Sequence, residues 1–220
     1  MAATVRDVMT SRVIAVKRSA DYKEICCVLR RYRVSACPVI NDAGQVVGVV
    51  SEADLLYKVA DPASPSGPIR LRRKLGEETK VNAVTAGQLM SSPPVCIAPG
   101  APVGVAARAM QDRRVRRLPV VGPDGTLIGI VSRTDLLSVY ERPDADIRDE
   151  IIREIIAGEF GLDAAAFEVA VAAGVVTLMG PLDRQDTALE LLARVRHGEG
   201  VVAVRDRLLV REPGSHLLGA

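Results

Sequence analysis

Short apolar runs alternate with amphipathic stretches through the first two thirds of the chain, and the same order occurs twice. The predicted elements of the first copy, three strands and two helices, lie at residues 13–16, 21–33, 38–40, 46–50 and 52–60. The segment CPVINDAGQVVGVVSEADLL at 37–56 recurs without a gap as LPVVGPDGTLIGIVSRTDLL at 118–137. This repetition predicts two copies of one βαββα unit, packed together about a pseudo-twofold axis.

The last third of the chain has a different order of elements, which begins after Arg142 and Pro143. Its pattern, αββαβ, predicts a small domain with an antiparallel sheet, so the fold class of the whole chain is α+β. The predicted elements here lie at residues 146–157, 167–171, 175–179, 183–195 and 201–210, and those of the second copy at 95–97, from Pro102 onward and at 119–131. The expected boundaries are 1–60 for the first repeat, 61–84 for a linker, 85–142 for the second repeat, 145–212 for the small domain and 213–220 for a disordered tail.

Composition limits the kind of partner. No apolar run is long enough to cross a bilayer and the N-terminus lacks the pattern of a signal peptide, so we expect a cytoplasmic protein. The net charge is +2 and aromatic residues make up only 3%, which supplies little surface for base stacking and argues against nucleic acid as a partner. Two basic runs, at 70–74 and 113–117, are either solvated faces or anion sites.

Candidate side chains for catalysis or metal binding are scarce. The two histidines, His197 and His216, lie in the last third of the chain, and no phosphate-binding glycine loop occurs. The four cysteines lack CxxC spacing and a nearby histidine, which predicts small buried hydrophobic side chains: Cys26, Cys27, Cys37 and Cys96. We therefore expect neither a metal centre nor an enzyme.

The repeated signature Gly-apolar-apolar-Ser-x-x-Asp carries the clearest chemistry of the sequence. It places Ser51 and Asp54 at the start of one helix, and Ser132 and Asp135 at the start of the other. Free amides at a helix start attract anions, and a carboxylate there can accept both hydroxyls of a ribose. The alternative is a Ser-x-x-Asp capping arrangement without a ligand.

These marks resemble a tandem pair of CBS domains, the Bateman module. The matching positions are Val8-Met9, Leu89-Met90, Pro38-Val39, Pro119-Val120 and the signatures at 48–54 and 129–135. The resemblance implies an adenosine ligand (AMP, ADP or ATP, with S-adenosylmethionine ranked behind them) in clefts between the copies. It further implies that Asp54 and Asp135 hold ribose, that Ser51 and Ser132 lie near phosphates, and that Ile14 and Val95 flank adenine.

The two clefts are not expected to be equal. Modules of this family often hold phosphate through basic residues just before the Pro-Val strand, where the second copy has Arg116 and Arg117 but the first has Ser35 and Ala36. Because the copies face each other, we assign both arginines to the cleft that contains Asp54. Arg133 is a further candidate for phosphate, and the alternative for the whole basic run is an exposed helix end.

The last third of the chain resembles a BON domain. The resemblance rests on its order of elements, on the hairpin AGVVTLMG at 173–180 and on GVVAV at 200–204. Such domains are commonly linked to phospholipid or membrane contact, whereas the plain interpretation here is a docking or oligomerising domain.

The resulting prediction is a non-enzymatic regulatory sensor of an adenosine ligand that passes its signal through the BON-like domain or an unknown protein partner. The alternative is a membrane- or envelope-associated interaction protein. The resemblance also implies a homodimer that buries the helices at 52–60 and 133–141, with six apolar residues suited to the contact: Leu55, Leu56, Val59, Leu136, Leu137 and Tyr140.

Overall fold

The computed structural model describes residues 3–59 and 83–210, with the side chains of 57–59 left out. The chain divides into two compact units, Thr4–Leu136 and a second unit that begins at Leu137. Most of the predicted linker, the basic run at 70–74 and the tail at 213–220 lie outside the described residues.

The first repeat has the predicted order of elements. Its strands and helices are β1 (Val16–Lys17), α2 (Tyr22–Tyr32), β2 (Ala36–Ile40), β3 (Val46–Ser51) and α3 (Glu52–Val59), preceded by a short helix α1 (Val5–Val8). The side chain of Asp21 accepts a hydrogen bond from the amide of Glu24 and so caps α2. The sheet order is β1-β2-β3, with β1 parallel and β3 antiparallel to β2.

The second repeat follows the same plan with one strand fewer. Its elements are α4 (Ala86–Leu89), α5 (Val103–Asp112), β4 (Arg117–Val121), β5 (Leu127–Ser132) and α6 (Arg133–Leu137), which runs into a 3-10 turn (Ser138–Glu141). The predicted strand at 95–97 is wrong: only Ile97 forms a bridge, to Val120. The prolines at 93, 94 and 99 remove backbone donors on both sides of this segment, which keeps its pairing to one bridge.

Each repeat completes its core with the leading segment of the other. The side chain of Val5 on α1 is fully buried in the core of the second repeat, and that of Leu89 on α4 is fully buried in the core of the first. The backbone pairs in the same crossed way, because Thr10 bridges to Ile130 while Ser91 bridges to Val49. The two copies therefore form one interlocked unit.

The glycine that opens each signature is explained by this exchange. A Cβ atom at Gly129 would lie 2.6 Å from Sδ of Met9, and one at Gly48 would collide with Sδ of Met90. Both methionines come from the leading segment of the opposite repeat. The Gly and Met marks of the repeat are thus two sides of one contact, made twice.

The second unit has the predicted α+β order but a different sheet. After α7 (Asp144–Glu150), which continues as a π-helix (Ile151–Glu159), and a 3-10 turn (Ala164–Ala166) come β6 (Glu168–Ala172), β7 (Val175–Leu182), α8 (Gln185–Arg196) and β8 (Ala203–Val210). The prediction of an antiparallel sheet is wrong for β8, which pairs parallel to β7 because the α8 crossover joins them. The sheet order is β6-β7-β8.

The hairpin of this unit is fixed by a carboxylate. Ala173 and Gly174 both have positive φ, 50° and 73°, as a two-residue β-hairpin turn requires. Their amides donate to the two carboxylate oxygens of Asp144 at 2.8 and 2.9 Å. One side chain at the start of α7 therefore holds the turn between β6 and β7.

The cysteines only partly follow the prediction. Cys37 is buried, and burial raises the pKa of its thiol to about 11, partly offset by the charge of Arg117. Cys26 and Cys96 are half-buried, and burial also raises the pKa of each. Cys27 is exposed, contrary to the prediction, because it lies on the solvent side of α2.

Within residues 3–59 and 83–210, no helix is long and apolar enough to cross a membrane.

Candidate functional site

Both signatures fold into the same small hydrogen-bonded arrangement. Ser51 ends β3, and its amide and hydroxyl donate to Oδ2 of Asp54 at 2.9 and 2.7 Å. Ser132 ends β5 and donates to Oδ2 of Asp135 in the same way, at 2.7 and 2.8 Å. The capping arrangement considered from the sequence is therefore formed in both copies, and it fixes each carboxylate against the end of its strand.

The two aspartates differ in their surroundings. Asp54 is only 7% exposed, whereas Asp135 is half-buried. A charged carboxylate in a confined site gains more from each hydrogen-bond donor that reaches it than one in open solvent does. The site around Asp54 is accordingly the stronger candidate of the two for holding a polar ligand.

A cavity of about 490 Å³ opens beside Asp54, between the two repeats. It brings together five of the residues predicted from the sequence: Ser51, Asp54, Val95, Arg116 and Arg117. Its wall also contains residues that sequence reasoning did not assign to a site: Ser35, Ala36, Val49, Glu52, Ala53, Ser91, Pro93, Pro94, Arg114 and Val115. A cavity of this size lies within the range typical of small-molecule sites.

Arg117 spans the gap between the repeats. In the β4–β5 ladder it lies opposite Ser132, so its backbone belongs to the second copy. Its guanidinium reaches the first copy, where it donates to the carbonyl of Ala36 at 3.0 Å and to Oγ of Ser35 at 2.8 Å. Arg117 therefore acts as a strap across the cavity wall, in addition to supplying positive charge.

Arg114 and Arg116 are both exposed at the cavity. Arg114 follows the end of α5 with a φ of 54°, the left-handed conformation that turns the chain toward β4. The basic run at 113–117 signalled this cluster, but the sequence did not show which of its arginines line the cavity. Three arginines and two carboxylates, those of Glu52 and Asp54, line the cavity, so its wall carries an excess of positive charge.

The remaining predicted residues do not line this cavity. Ile14 is half-buried before β1, and Ser132 and Asp135 belong to the second signature. Arg133 is exposed and donates to the carbonyl of Val115 at 3.2 Å. The positions equivalent to Arg116 and Arg117 are Ser35 and Ala36, so the surroundings of Asp135 lack the corresponding positive pair.

Two segments of the chain match one known family. The family model described as CBS domain fits residues 5–61 and 86–142, which together make up more than half of the chain. The chain belongs to the CBS-domain family. Its two repeats are a CBS pair, as the sequence predicted, while residues 143–210 lie outside the matched segments, so the resemblance of that part to a BON domain stays a prediction.

Known CBS proteins give the pair a context. Chloroplastic CBSX2 of Arabidopsis thaliana is 32% identical over 147 residues, which are 61% of this chain and 62% of the relative. An uncharacterised protein of Methanopyrus kandleri is 27% identical over 148 residues, 67% of this chain and 68% of that one. The crystal structure of CBSX2 in complex with AMP has a TM-score of 0.54 at 33% identity and covers 61% of this chain and 94% of that chain. A related CBS pair therefore binds an adenosine nucleotide.

Proposed function

We propose that this CBS protein is a non-enzymatic sensor that binds AMP, ADP or ATP in the cavity beside Asp54. The observation that carries the proposal is the cavity itself, which is lined by the fixed carboxylate of Asp54 from the first repeat and by three arginines of the second repeat. Support comes from CBSX2, a relative at 33% identity that was solved with AMP. The cytoplasmic location expected from the sequence belongs to the same proposal.

The lining suggests a role for each part of the ligand. Asp54 accepts the ribose hydroxyls, since its carboxylate is held in place by Ser51. Val95, together with Pro93 and Pro94, supplies an apolar wall for adenine. Arg116 and Arg114 are exposed at the cavity and bind the phosphates, for which the planar guanidinium is well suited.

Signal transmission is proposed to start at Arg117. A phosphate in the cavity competes with Ser35 and Ala36 for the guanidinium, so ligand binding changes the link between the repeats. The effect is limited to the difference in ligand affinity between the two arrangements, on the order of 1–3 kcal/mol. The receiver is the BON-like domain or a protein partner.

Two copies of the chain are proposed to associate through α3 and α6. Leu56 is 59% exposed and Leu137 is 61% exposed, at equivalent positions of the two repeats, and Tyr140 is also exposed. Leu55 and Leu136 are buried in the cores and cannot contribute, although both were candidates from the sequence. The side chain of Val59 lies outside the described residues.

Calorimetric titration with AMP, ADP, ATP, S-adenosylmethionine and NAD tests the ligand assignment. We expect Asp54→Ala to lower the affinity for every adenosine ligand, because each of these ligands carries the ribose. The matched control is Asp135→Ala, which alters the equivalent carboxylate outside the cavity. The absence of binding of all five compounds to the folded wild-type protein would refute the function.

Titration of Arg116→Ala tests the phosphate role. The loss of affinity should grow from AMP to ATP, since Arg116 is expected to contact the distal phosphates. An equal loss for AMP and ATP would contradict this role and leave Arg116 with general charge attraction only.

A further inference from the structure

Within the second unit, the described residues leave one face of the sheet uncovered. The helix-covered face consists of alternate residues such as Val169, Leu178 and Leu208, which pack in the core. The opposite face, called the open face, contains Glu168, Ala170 and Ala172 from β6, Val175, Thr177, Met179 and Pro181 from β7, and Ala203, Arg205, Arg207 and Leu209 from β8. All of its residues on β6 and β8 are exposed, and Leu209 is 70% exposed.

The open face has a defined distribution of charge. The strand register places Glu168, Met179 and Arg207 in one row across the sheet, with the acid on one edge strand and the base on the other. Two strand spacings, about 10 Å, separate Glu168 from Arg207 within one copy, which is too far for an ion pair. The centre of the face is apolar or small, and alanines lie on both sides of it.

We propose that the open face binds the open face of a second copy of this chain. A twofold axis parallel to the strands places β6 of one copy above β8 of the other and keeps each row in step. Glu168 then lies above the partner's Arg207, and Arg207 lies above the partner's Glu168. Residues of β7 meet their own equivalents, and Ala172 meets the partner's Ala203, where small side chains allow the usual sheet spacing of about 10 Å.

The charges also disfavour the other face-to-face arrangement. A twofold axis across the strands would place β8 above β8 and bring Arg205 and Arg207 close to the same arginines of the partner. Like charges opposite each other are destabilising, whereas the parallel axis pairs two acids with two bases. The contact is isologous, so by itself it joins two copies and no more.

Association through the strand edge is less suited to β8. The amide of Leu208 donates to Oδ1 of Asp206 at 2.8 Å, so it cannot serve an added strand. An acidic residue on an edge strand is a common means of preventing edge-to-edge pairing. The β8 edge is therefore a poorer surface for a second copy than the open face.

Sedimentation velocity of the full chain with exchanged charges tests the proposal. Glu168→Arg and Arg207→Glu should each raise the dissociation constant of one association step about tenfold. The double variant should return it to within about threefold of the wild type, because the two charges are again opposite. Glu190→Arg is the matched control, since Glu190 is exposed on α8 and lies off the open face, and it should change nothing.

The outcomes separate this contact from any other. An association through α3 and α6 would persist unchanged in all of these variants, because none of them alters those helices. The proposal is overturned if, at up to millimolar concentration, the wild-type chain shows no association step that either single variant weakens. The proposal is also overturned if both single variants weaken an association step and the double variant does not restore its dissociation constant. Circular dichroism of each variant confirms that the exchanged charges leave the fold intact.

Discussion

At the scale of single residues, Arg117 and Arg116 are neighbours with different situations. Arg117 is half-buried and donates two hydrogen bonds across the repeats, whereas Arg116 is exposed. Sequence reasoning treated them as one pair, because both precede the Pro-Val strand. The atoms that a guanidinium contacts depend on how the opposite repeat packs against it. The local sequence does not predict that packing.

Arg117→Ala should lower the free energy of unfolding by about 1–2 kcal/mol, because two donors to the first repeat are lost. Arg116→Ala is the matched control and should change it by less than about 0.5 kcal/mol. Urea denaturation of both variants measures the difference. Equal effects would show that the strap contributes nothing to the folded state.

The buried thiol of Cys37 makes a second prediction at this scale. Burial raises its pKa to about 11 from 9.0, so the folded protein holds this proton more tightly than the unfolded chain does. The resulting stabilisation is complete below pH 9 and is lost as the pH rises through about 11. The free energy of unfolding should fall by about 2 kcal/mol more in the wild type than in Cys37→Ala over this interval. Parallel pH profiles of the two proteins would contradict it.

At the scale of elements, helices and strands with a strong local sequence pattern were predicted correctly, whereas those with a weak pattern were not. The hairpins and α2 follow from alternation, turn glycines and the cap at Asp21, and all formed. The short helices α1 and α4 were missed, because four residues are too few to show helical periodicity. Their place depends on contacts with the opposite repeat, such as the hydrogen bonds from Val5 to Ala101 and from Ala86 to Ala20. The strand β8 was predicted, but its parallel pairing with β7 was not, because alternation predicts a strand without predicting its direction.

The Met–Gly contact provides a prediction for one element. Gly48→Ala should destabilise the protein by about 1–3 kcal/mol, because the added methyl group collides with Met90 and the core has to shift. Gly104→Ala on α5 is the control: nothing lies within 4 Å of its Cβ position, so alanine should be neutral or slightly stabilising. Thermal unfolding compares the two. A stable Gly48→Ala protein would mean that Met90 moves aside at no cost.

At the scale of the whole molecule, the pseudo-symmetry of the sequence predicted the CBS pair but not its asymmetry in full. The Ser and Asp side chains of both signatures are hydrogen-bonded to each other, and Arg116 and Arg117 lie at the cavity beside Asp54. The strap, and the contribution of Arg114 to the cavity wall, appear only when both repeats are assembled. The second unit has no such internal repeat, and its open face follows from strand register rather than from any motif.

The interlocked repeats predict where a distant substitution acts. Leu89→Ala should lower the free energy of unfolding by about 2–5 kcal/mol, because Leu89 is fully buried. Hydrogen exchange should show the loss mainly at β2 and β3 of the first repeat, although Leu89 belongs by sequence to the second. Val105→Ala, at a position that is 53% exposed, is the control. Loss of protection confined to the second repeat would contradict the exchange of segments.

The exchanged segments also set an order on synthesis. As the chain leaves the ribosome, the first repeat lacks part of its core until Leu89 has emerged. Val5 is made well before its core neighbours in β4 and β5, so its apolar side chain stays unsheltered until those strands have been made. A nascent chain stalled before residue 132 therefore carries an unfinished second repeat, and its leading segment is a site that chaperones can recognise.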